Sequence, residues 1–412
     1  MSNKNNAFSE KKGAHLSKII GGTLLIVGTA IGGGMLALPV SASPGGFFNA
    51  SLLLFGCWVL MTYSAFLILE INLWLPQNSN IISMAKATLG RKGEIIAWTS
   101  YLLLLYALIC AYISSGTDIF HNLFQLIGIN LPLWINSCLF VGVLGYVVYK
   151  GIESVDYVNR GLMTAKFAAY FLLVASVAPH IQLSNLQGGK ASALIGSVTV
   201  MITSFGFASI IPSLRTYFND DVKKLRLIIT IGSLIPLLCY IIWILIILGV
   251  IPRNGSNSLD AVLHSGHSTT ELTTSLSHFL NNPWITNFSR LFSSVCVATS
   301  FLGVSLGLSD FLADGFKIKK QGRGNVIIYA ATFLPSLLII LFYPSIFILG
   351  ISYAGIFCII LLALLPALMA YGGRYNKKIA HGYQVKGGKI ALLILIVLIS
   401  AIIVLSIKDS IS

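Results

Sequence analysis

The sequence predicts an all-α integral membrane protein, a single domain crossing the bilayer about eleven times, and three observations carry that reading. Hydrophobic residues make up 56% of the chain and charged residues only 10%, with a mean hydropathy of +0.86. A soluble domain covers its surface with roughly 25% charged residues, so most of this surface meets lipid. The apolar residues gather into runs near the length of about 20 residues that spans a bilayer as helix. Lysine and arginine collect in alternate intervals between those runs, the asymmetry that orients helices across a membrane.

The runs fall near 18–41, 47–75, 95–120, 131–149, 160–178 and 191–213, then 226–251, 284–312, 325–343, 345–371 and 388–407. The first follows Lys11, Lys12 and Lys18 and ends at Val40-Ser41-Ala42, but it exceeds the 7–15 residues of a cleaved signal's apolar stretch. It is read as a retained span. With the N-terminus cytoplasmic, inside segments carry clusters such as Lys86, Arg91 and Lys92, or Lys317, Lys319, Lys320 and Arg323. Outside segments carry only Lys190, Arg253, Arg290 and Lys408. The expected organisation is a cytoplasmic tail over 1–17, one transmembrane domain over 18–407 and a short periplasmic tail over 408–412. Such a protein belongs in a cell inner membrane.

A net charge of +14 could suggest a nucleic-acid partner, yet no basic region stands free of the spans, so none is expected. The six cysteines form no C-x-x-C pair and read as small packing residues. His264, His267 and His278 lie in the longest loop, about 252–283, but their spacing matches no standard metal motif. That loop is read as a polar outer lid or connection. Neither a metal nor another cofactor is expected, and no obligate protein partner is implied.

Two spans are interrupted. In the first, Gly32, Gly33 and Gly34 follow Gly28, Thr29, Ala30 and Ile31 near mid-membrane, where each glycine costs a helix about 1 kcal/mol relative to alanine. In the sixth, Thr203, Ser204, Phe205, Gly206 and Phe207 precede Pro212. Gly33 precedes Pro39 by six residues, and Gly206 precedes Pro212 by six. Matching interruptions five spans apart point to a 5+5 inverted repeat with discontinuous helices 1 and 6, plus an eleventh helix. Unwinding frees backbone groups that hydrocarbon cannot solvate. Amide N–H groups at a half-helix start suit a carboxylate, and freed carbonyls suit a cation. The alternative is a small-x-x-x-small packing face through Gly28 and Gly32.

At these residues the chain resembles the bacterial hydroxy- and aromatic-amino-acid permeases, the tryptophan- and tyrosine-specific carriers of the amino acid-polyamine-organocation superfamily. The likeness covers nearly the whole chain. It includes the stretch from Gly28 to Pro39, Ala111-Tyr112-Ile113-Ser114-Ser115-Gly116 in span 3, and the run from Ser300 to Asp314 in span 8. In span 6 the family's Phe-His-Gly is replaced by Phe207-Ala208-Ser209, which leaves the fold unaffected but bears on which amino acid is carried. The resemblance implies the leucine-transporter type of fold. It also implies secondary active import of an aromatic amino acid, tyrosine or tryptophan, by proton symport with alternating access. Sodium is the alternative coupling ion, and another neutral amino acid the alternative cargo.

Substrate contacts are then expected from the N–H groups of Gly32, Gly33 and Gly34 to a carboxylate. Carbonyls and hydroxyls around Thr29, Thr203 and Ser204 would receive the ammonium. Phe205, Phe207 and Tyr112, flanking or facing the break at Gly206, would stack on an aromatic side chain, with ordinary packing as the other reading of each. Proton coupling needs an ionisable group inside the membrane, and Lys166 is the basic residue most clearly within a span. It is expected between spans 1, 5 and 8 near Ser305 and Ser309, in the place of the sodium ion of related carriers. It lies about 9 Å along the helix from Arg160, so snorkelling to the interface is the competing role.

A channel would show a repeated filter or charged ring, an intramembrane enzyme a catalytic constellation, and an ATP-driven pump a G-x-x-x-x-G-K-[ST] loop; the sequence shows none. A reporter fused after Lys320 is expected in the cytoplasm and one fused after Ser412 in the periplasm. Finding both on one side overturns the count of eleven.

Overall fold

In hydrocarbon every backbone N–H and C=O must be satisfied within the protein, which leaves helices as the economical answer for long apolar runs. The computed structural model describes residues 18–411 apart from Asn78, Ser256, Asn257, Gly266, His267 and Ser345. The expected tail at 1–17, His267, the side chain of His264 and Ser412 lie outside the described residues. Among the described residues all regular structure is helical. Nine helical stretches among the described residues are long and apolar enough to cross a membrane, and Lys18–Ala30 and Leu133–Tyr149 are shorter apolar helices. The chain is a multi-pass membrane protein.

The first run forms α1 (Lys18–Ala30) and α2 (Gly33–Ala42), separated by Ile31 and Gly32. There follow α3 (Gly46–Leu73), α4 (Ile81–Leu126), α5 (Leu133–Tyr149), α6 (Ile152–Val177) and the short α7 (Leu183–Leu186). The sixth run forms α8 (Ser197–Ser204) and α9 (Ile211–Tyr217), with a 3-10 turn over Gly206–Ile210 between them. Then come α10 (Val222–Val250), α11 (Leu259–Ser265), α12 (Ser268–Leu280), α13 (Pro283–Gly315) and α14 (Arg323–Phe342). The tenth run comprises α15 (Phe347–Ile359) and α16 (Leu365–Tyr371), each followed by a π-helical turn, and α17 (Gly388–Ile411) ends the bundle. At its centre α4 packs on α13 and α15, α6 on α13, and α8 on α15.

Two connections differ from the sequence reading. The third run, expected at 95–120, is preceded by a helical arm: α4 starts at Ile81, capped by Asn80, whose side chain accepts the Ser83 N–H at 2.9 Å, and bends at Gly90. Gly90 has φ +76°, which favours glycine. Met84, Ala85 and Thr88 are the buried side of that arm, so it is amphipathic and too polar to register as an apolar run. The outer loop, read as polar connection, is helical over α11 and α12. Leu272 and Leu276 are buried one turn apart, and the hydroxyl pairs Thr273–Ser289 (3.2 Å) and Ser277–Thr286 (2.7 Å) tie α12 to α13.

The connections carrying the basic clusters meet at one end. Lys377 donates to the Ala87 carbonyl at 2.9 Å, Tyr63 to the Lys386 carbonyl at 3.0 Å, and Gln77 to Asp220 at 3.1 Å. The end of α3 is the hub there. Fully buried Glu70 receives Arg374 through two bonds, Nε–Oε1 at 2.7 Å and Nη2–Oε2 at 2.5 Å, and the Val385 N–H at 2.7 Å. Buried Arg215 of α9 donates to the carbonyls of Asn72 and Leu75 and to Asp220 Oδ1. Removing one partner of a buried pair leaves a charge uncompensated, at a cost of about 3–5 kcal/mol. Glu70→Ala is therefore expected to lower thermal stability in detergent by about that amount. An unchanged melting temperature would show the pair to be dispensable.

Candidate functional site

The break in the first run frees backbone groups deep in the bundle, and side chains from three helices meet them. The Ala30 carbonyl accepts from the Tyr240 phenol of α10 at 2.6 Å. Lys166 of α6 donates to the Ile31 carbonyl at 2.6 Å, its side chain buried. The Gly33 N–H donates to Ser300 Oγ of α13 at 2.8 Å. Tyr240 is also 2.9 Å from the Ser204 carbonyl, so one phenol faces the ends of both α1 and α8.

Close approach explains the glycines. A Cβ on Gly32 would lie 2.4 Å from Ser300 Oγ, one on Gly33 2.5 Å from Cε1 of Tyr112, and one on Gly34 3.2 Å from Ser204 Oγ. The start of α2 is thus pressed against α13, α4 and α8 at once. The break in the sixth run differs in extent. It runs from Phe205 through the turn at Gly206–Ile210, and Pro212 stands in the first turn of α9, where its missing N–H is harmless. Pro39, by contrast, lies inside α2.

A cavity of about 410 Å³ opens beside the two breaks, within the range of about 300–1,000 Å³ of small-molecule sites. Near the breaks it is lined by Thr29, Gly32, Gly34, Tyr112, Thr203 and Ser204, with Gly206, Ser209, Thr299 and Ser300 adjoining. Leu104, Leu105, Leu108, Cys358 and Leu362 form an apolar wall. Towards the basic end it continues between Leu24 and Leu25 of α1, Asn159 and Met163 of α6, and Gly303 and Gly307 of α13. At that end the lining residues Leu24, Leu25 and Gly303 are exposed, and the cavity opens between them.

Of the residues expected from sequence, Thr29, Gly32, Gly34, Tyr112, Thr203, Ser204 and Gly206 come together on the cavity wall. The hydroxyls of Thr29, Thr203 and Ser204 donate back to Leu25, Thr199 and Val200 carbonyls at 2.8, 2.7 and 2.9 Å; their lone pairs remain as acceptors. Gly33 stands behind the wall, with its N–H on Ser300. Phe205 and Phe207 are fully buried away from the cavity, Phe205 edge-on to Tyr240 at 5.3 Å. Lys166 reaches the break of the first run, while Ser305 and Ser309 do not line the cavity; the α13 hydroxyls there are Thr299 and Ser300. Sequence reasoning missed Tyr240 and Ser300. A tyrosine in the middle of the apolar run 226–251 was the available signal for the first.

Two interrupted helices facing a cavity that opens at one end of a membrane bundle define a membrane transport protein. The chain belongs to the tryptophan/tyrosine permease family, whose model matches residues 15–406. It is a permease, not an enzyme. It is 34% identical over 389 residues to tyrosine-specific transport system 1 of Haemophilus influenzae, covering 93% of this chain and 95% of the relative. With tyrosine-specific transport system 2 of that organism it shares 33% over 393 residues, 94% and 96% of the two chains. With its tryptophan-specific transport protein it shares 32% over 383 residues, 90% and 91%.

Because Tyr112 already covers Gly33, a branched side chain there has no room. Gly33→Val is expected to insert normally but to bind its substrate roughly 10- to 100-fold more weakly, the range of overpacking costs. Wild-type affinity in that variant would move the site away from α2.

Proposed function

We propose that this permease is a secondary active transporter that imports an aromatic amino acid, tyrosine or tryptophan, by proton symport with alternating access. The carrying observation is the juxtaposition of the α2 start, the α8 end and an apolar wall around one cavity. The positive N-terminal end of α2 suits a carboxylate. The acceptors at Thr29, Thr203 and Ser204 suit an ammonium, and the space beside Leu104, Leu108 and Leu362 suits a large side chain. Gly303 and Gly307 add room: a Cβ on either would meet nothing within 4 Å. The names of the tyrosine- and tryptophan-specific relatives support the same cargo.

In this reading the protein lies in the inner membrane with eleven spans in a leucine-transporter type of fold. Spans 1–5 (α1 to α6) and 6–10 (α8 to α16) form the inverted repeat, and α17 is peripheral. The basic end is cytoplasmic by the distribution of lysine and arginine, so the cavity is in its inward-facing form. Lys166 serves as the coupling group. Its ammonium holds the Ile31 carbonyl, so a fixed positive charge already occupies the break, and this favours the proton. Losing its proton would weaken that brace on the break and so link protonation to the position of α1.

A second reading rests on the cavity wall. The lining aromatics are Tyr101 and Tyr112, the apolar part of the wall is otherwise mainly aliphatic, and Ala208 and Ser209 replace the family's His-Gly. A bulky aliphatic amino acid fits such a wall too. Proteoliposomes under an imposed pH gradient decide: saturable tryptophan or tyrosine uptake is expected, and equal competition by alanine and leucine would remove the aromatic assignment. Lys166→Gln is expected to retain substrate exchange while losing accumulation driven by the pH gradient. Wild-type accumulation in this variant would remove Lys166 from the coupling step.

A further inference from the structure

The Gly33 N–H is the donor that a bound carboxylate would most need, and in this structure it is already taken. The first N–H groups of a helix have no partner within it. At the start of α2 the Gly33 donor points not into the cavity but to Ser300 Oγ, 2.8 Å away. Ser300 itself lines the cavity, as do Gly32 and Gly34 on either side of Gly33. Its hydroxyl sits so close to Gly32 that an added Cβ would be 2.4 Å from it, and the Tyr112 phenol lies beside it.

We infer that Ser300 is a resident stand-in for the substrate carboxylate: it holds the Gly33 amide in the empty carrier and yields it when an amino acid binds. The inference rests on the functional reading above. A carboxylate can displace the hydroxyl because a charge-assisted hydrogen bond is roughly twice as strong as a neutral one. The displacement has a mechanical consequence. The same hydrogen bond holds the start of α2 to α13, so occupancy of the site and this attachment exclude one another. The carrier thus senses its load at one amide. Ser300 is a positioning residue in this scheme, acting on the substrate through Gly33.

The sign of one change tests it. Deleting a substrate-binding hydroxyl weakens binding; deleting a competitor strengthens it. In purified full-length protein, Ser300→Ala is expected to lower the Kd for tryptophan or tyrosine about 2- to 10-fold, the span of one net hydrogen bond. It is also expected to slow net uptake, because the empty carrier loses a contact that resets α2. Ser300→Cys keeps the volume with a much poorer acceptor and is expected to shift the Kd in the same direction, which covers a failure of the alanine variant to fold. Tryptamine, which lacks the carboxylate, is expected to compete no better against the variant than against wild type, and absence of competition in both agrees with that. An unchanged or raised Kd, or an equal gain for tryptamine, overturns the inference while leaving the carrier intact. If wild type binds neither tryptophan nor tyrosine, the aromatic reading falls instead, and the Ser300 comparison is made with whichever neutral amino acid does bind.

Discussion

A helix broken inside hydrocarbon must find partners for the groups it releases, and the interior of this protein is organised around that requirement at Ile31 and Gly32. Leaving a buried donor or acceptor unmet costs about 1–3 kcal/mol, more where no water reaches. The three partners come from three helices: Tyr240 from α10, Lys166 from α6 and Ser300 from α13. Each reaches the break from a different membrane-spanning helix, and each constrains how its helix packs against α1 and α2. The close glycine contacts follow from the same convergence, because side chains at Gly32 or Gly33 would displace Ser300 or Tyr112. Break, braces and glycines form one interdependent unit.

The half-helices at the basic end of the two breaks, α1 and α9, are held by different contacts. Arg215 fastens α9 to the end of α3 through buried hydrogen bonds, and Arg374 fastens the end of the tenth span to Glu70 of the same helix. By contrast, α1 is held at its tip by Gly22 against the Phe218 ring and by Lys18 over Tyr217, 4.8 Å from the ring centroid. Cation–π contacts of that kind are worth about 0.5–1 kcal/mol at exposed sites, well short of a buried, bidentate ion pair. Among the described residues, these contacts belong to the half-helix that lines the basic end of the cavity.

How much of this was legible in the sequence follows from which physical signal each feature emits. The apolar runs and the glycine breaks announce themselves by length and helix cost, and each run is helical over most of its extent. The family could be read from the glycine stretch, the Ala111–Gly116 segment and the run after Ser300. Amphipathic pieces were illegible as spans: the arm before Gly90, α11 and α12 bury one side and expose the other, so no apolar run forms. Side-chain direction was illegible too. Phe205 and Phe207 flank the break in sequence, yet both point into packed protein. Ser300 carries no signal of its own in the sequence, because spacing along α13 cannot tell which of its hydroxyls meets α2.

The unequal breaks divide the work of recognition, on the function proposed above. In the first run only Ile31 and Gly32 leave the helix, and α2 restarts with its amides near the hydroxyls of Thr29 and Ser204 on the cavity wall, an arrangement suited to the carboxylate and ammonium that every amino acid shares. In the sixth run five residues form a looser turn that presents Gly206, Ser209 and Ile210 to the cavity, beside Cys358 and Leu362 of the tenth span. Those groups differ in size and polarity rather than in backbone geometry, so they meet the part of the substrate that varies. This division explains why the family's His-Gly can become Ala208-Ser209 without disturbing the fold. Ala208 is buried and Ser209 bonds to the Gly206 carbonyl at 3.1 Å, so the turn closes on its own hydrogen bond. On that proposal, selectivity would change on the side of the sixth span, while the first span keeps the hydrogen bonds that Tyr240, Lys166 and Ser300 make to its break.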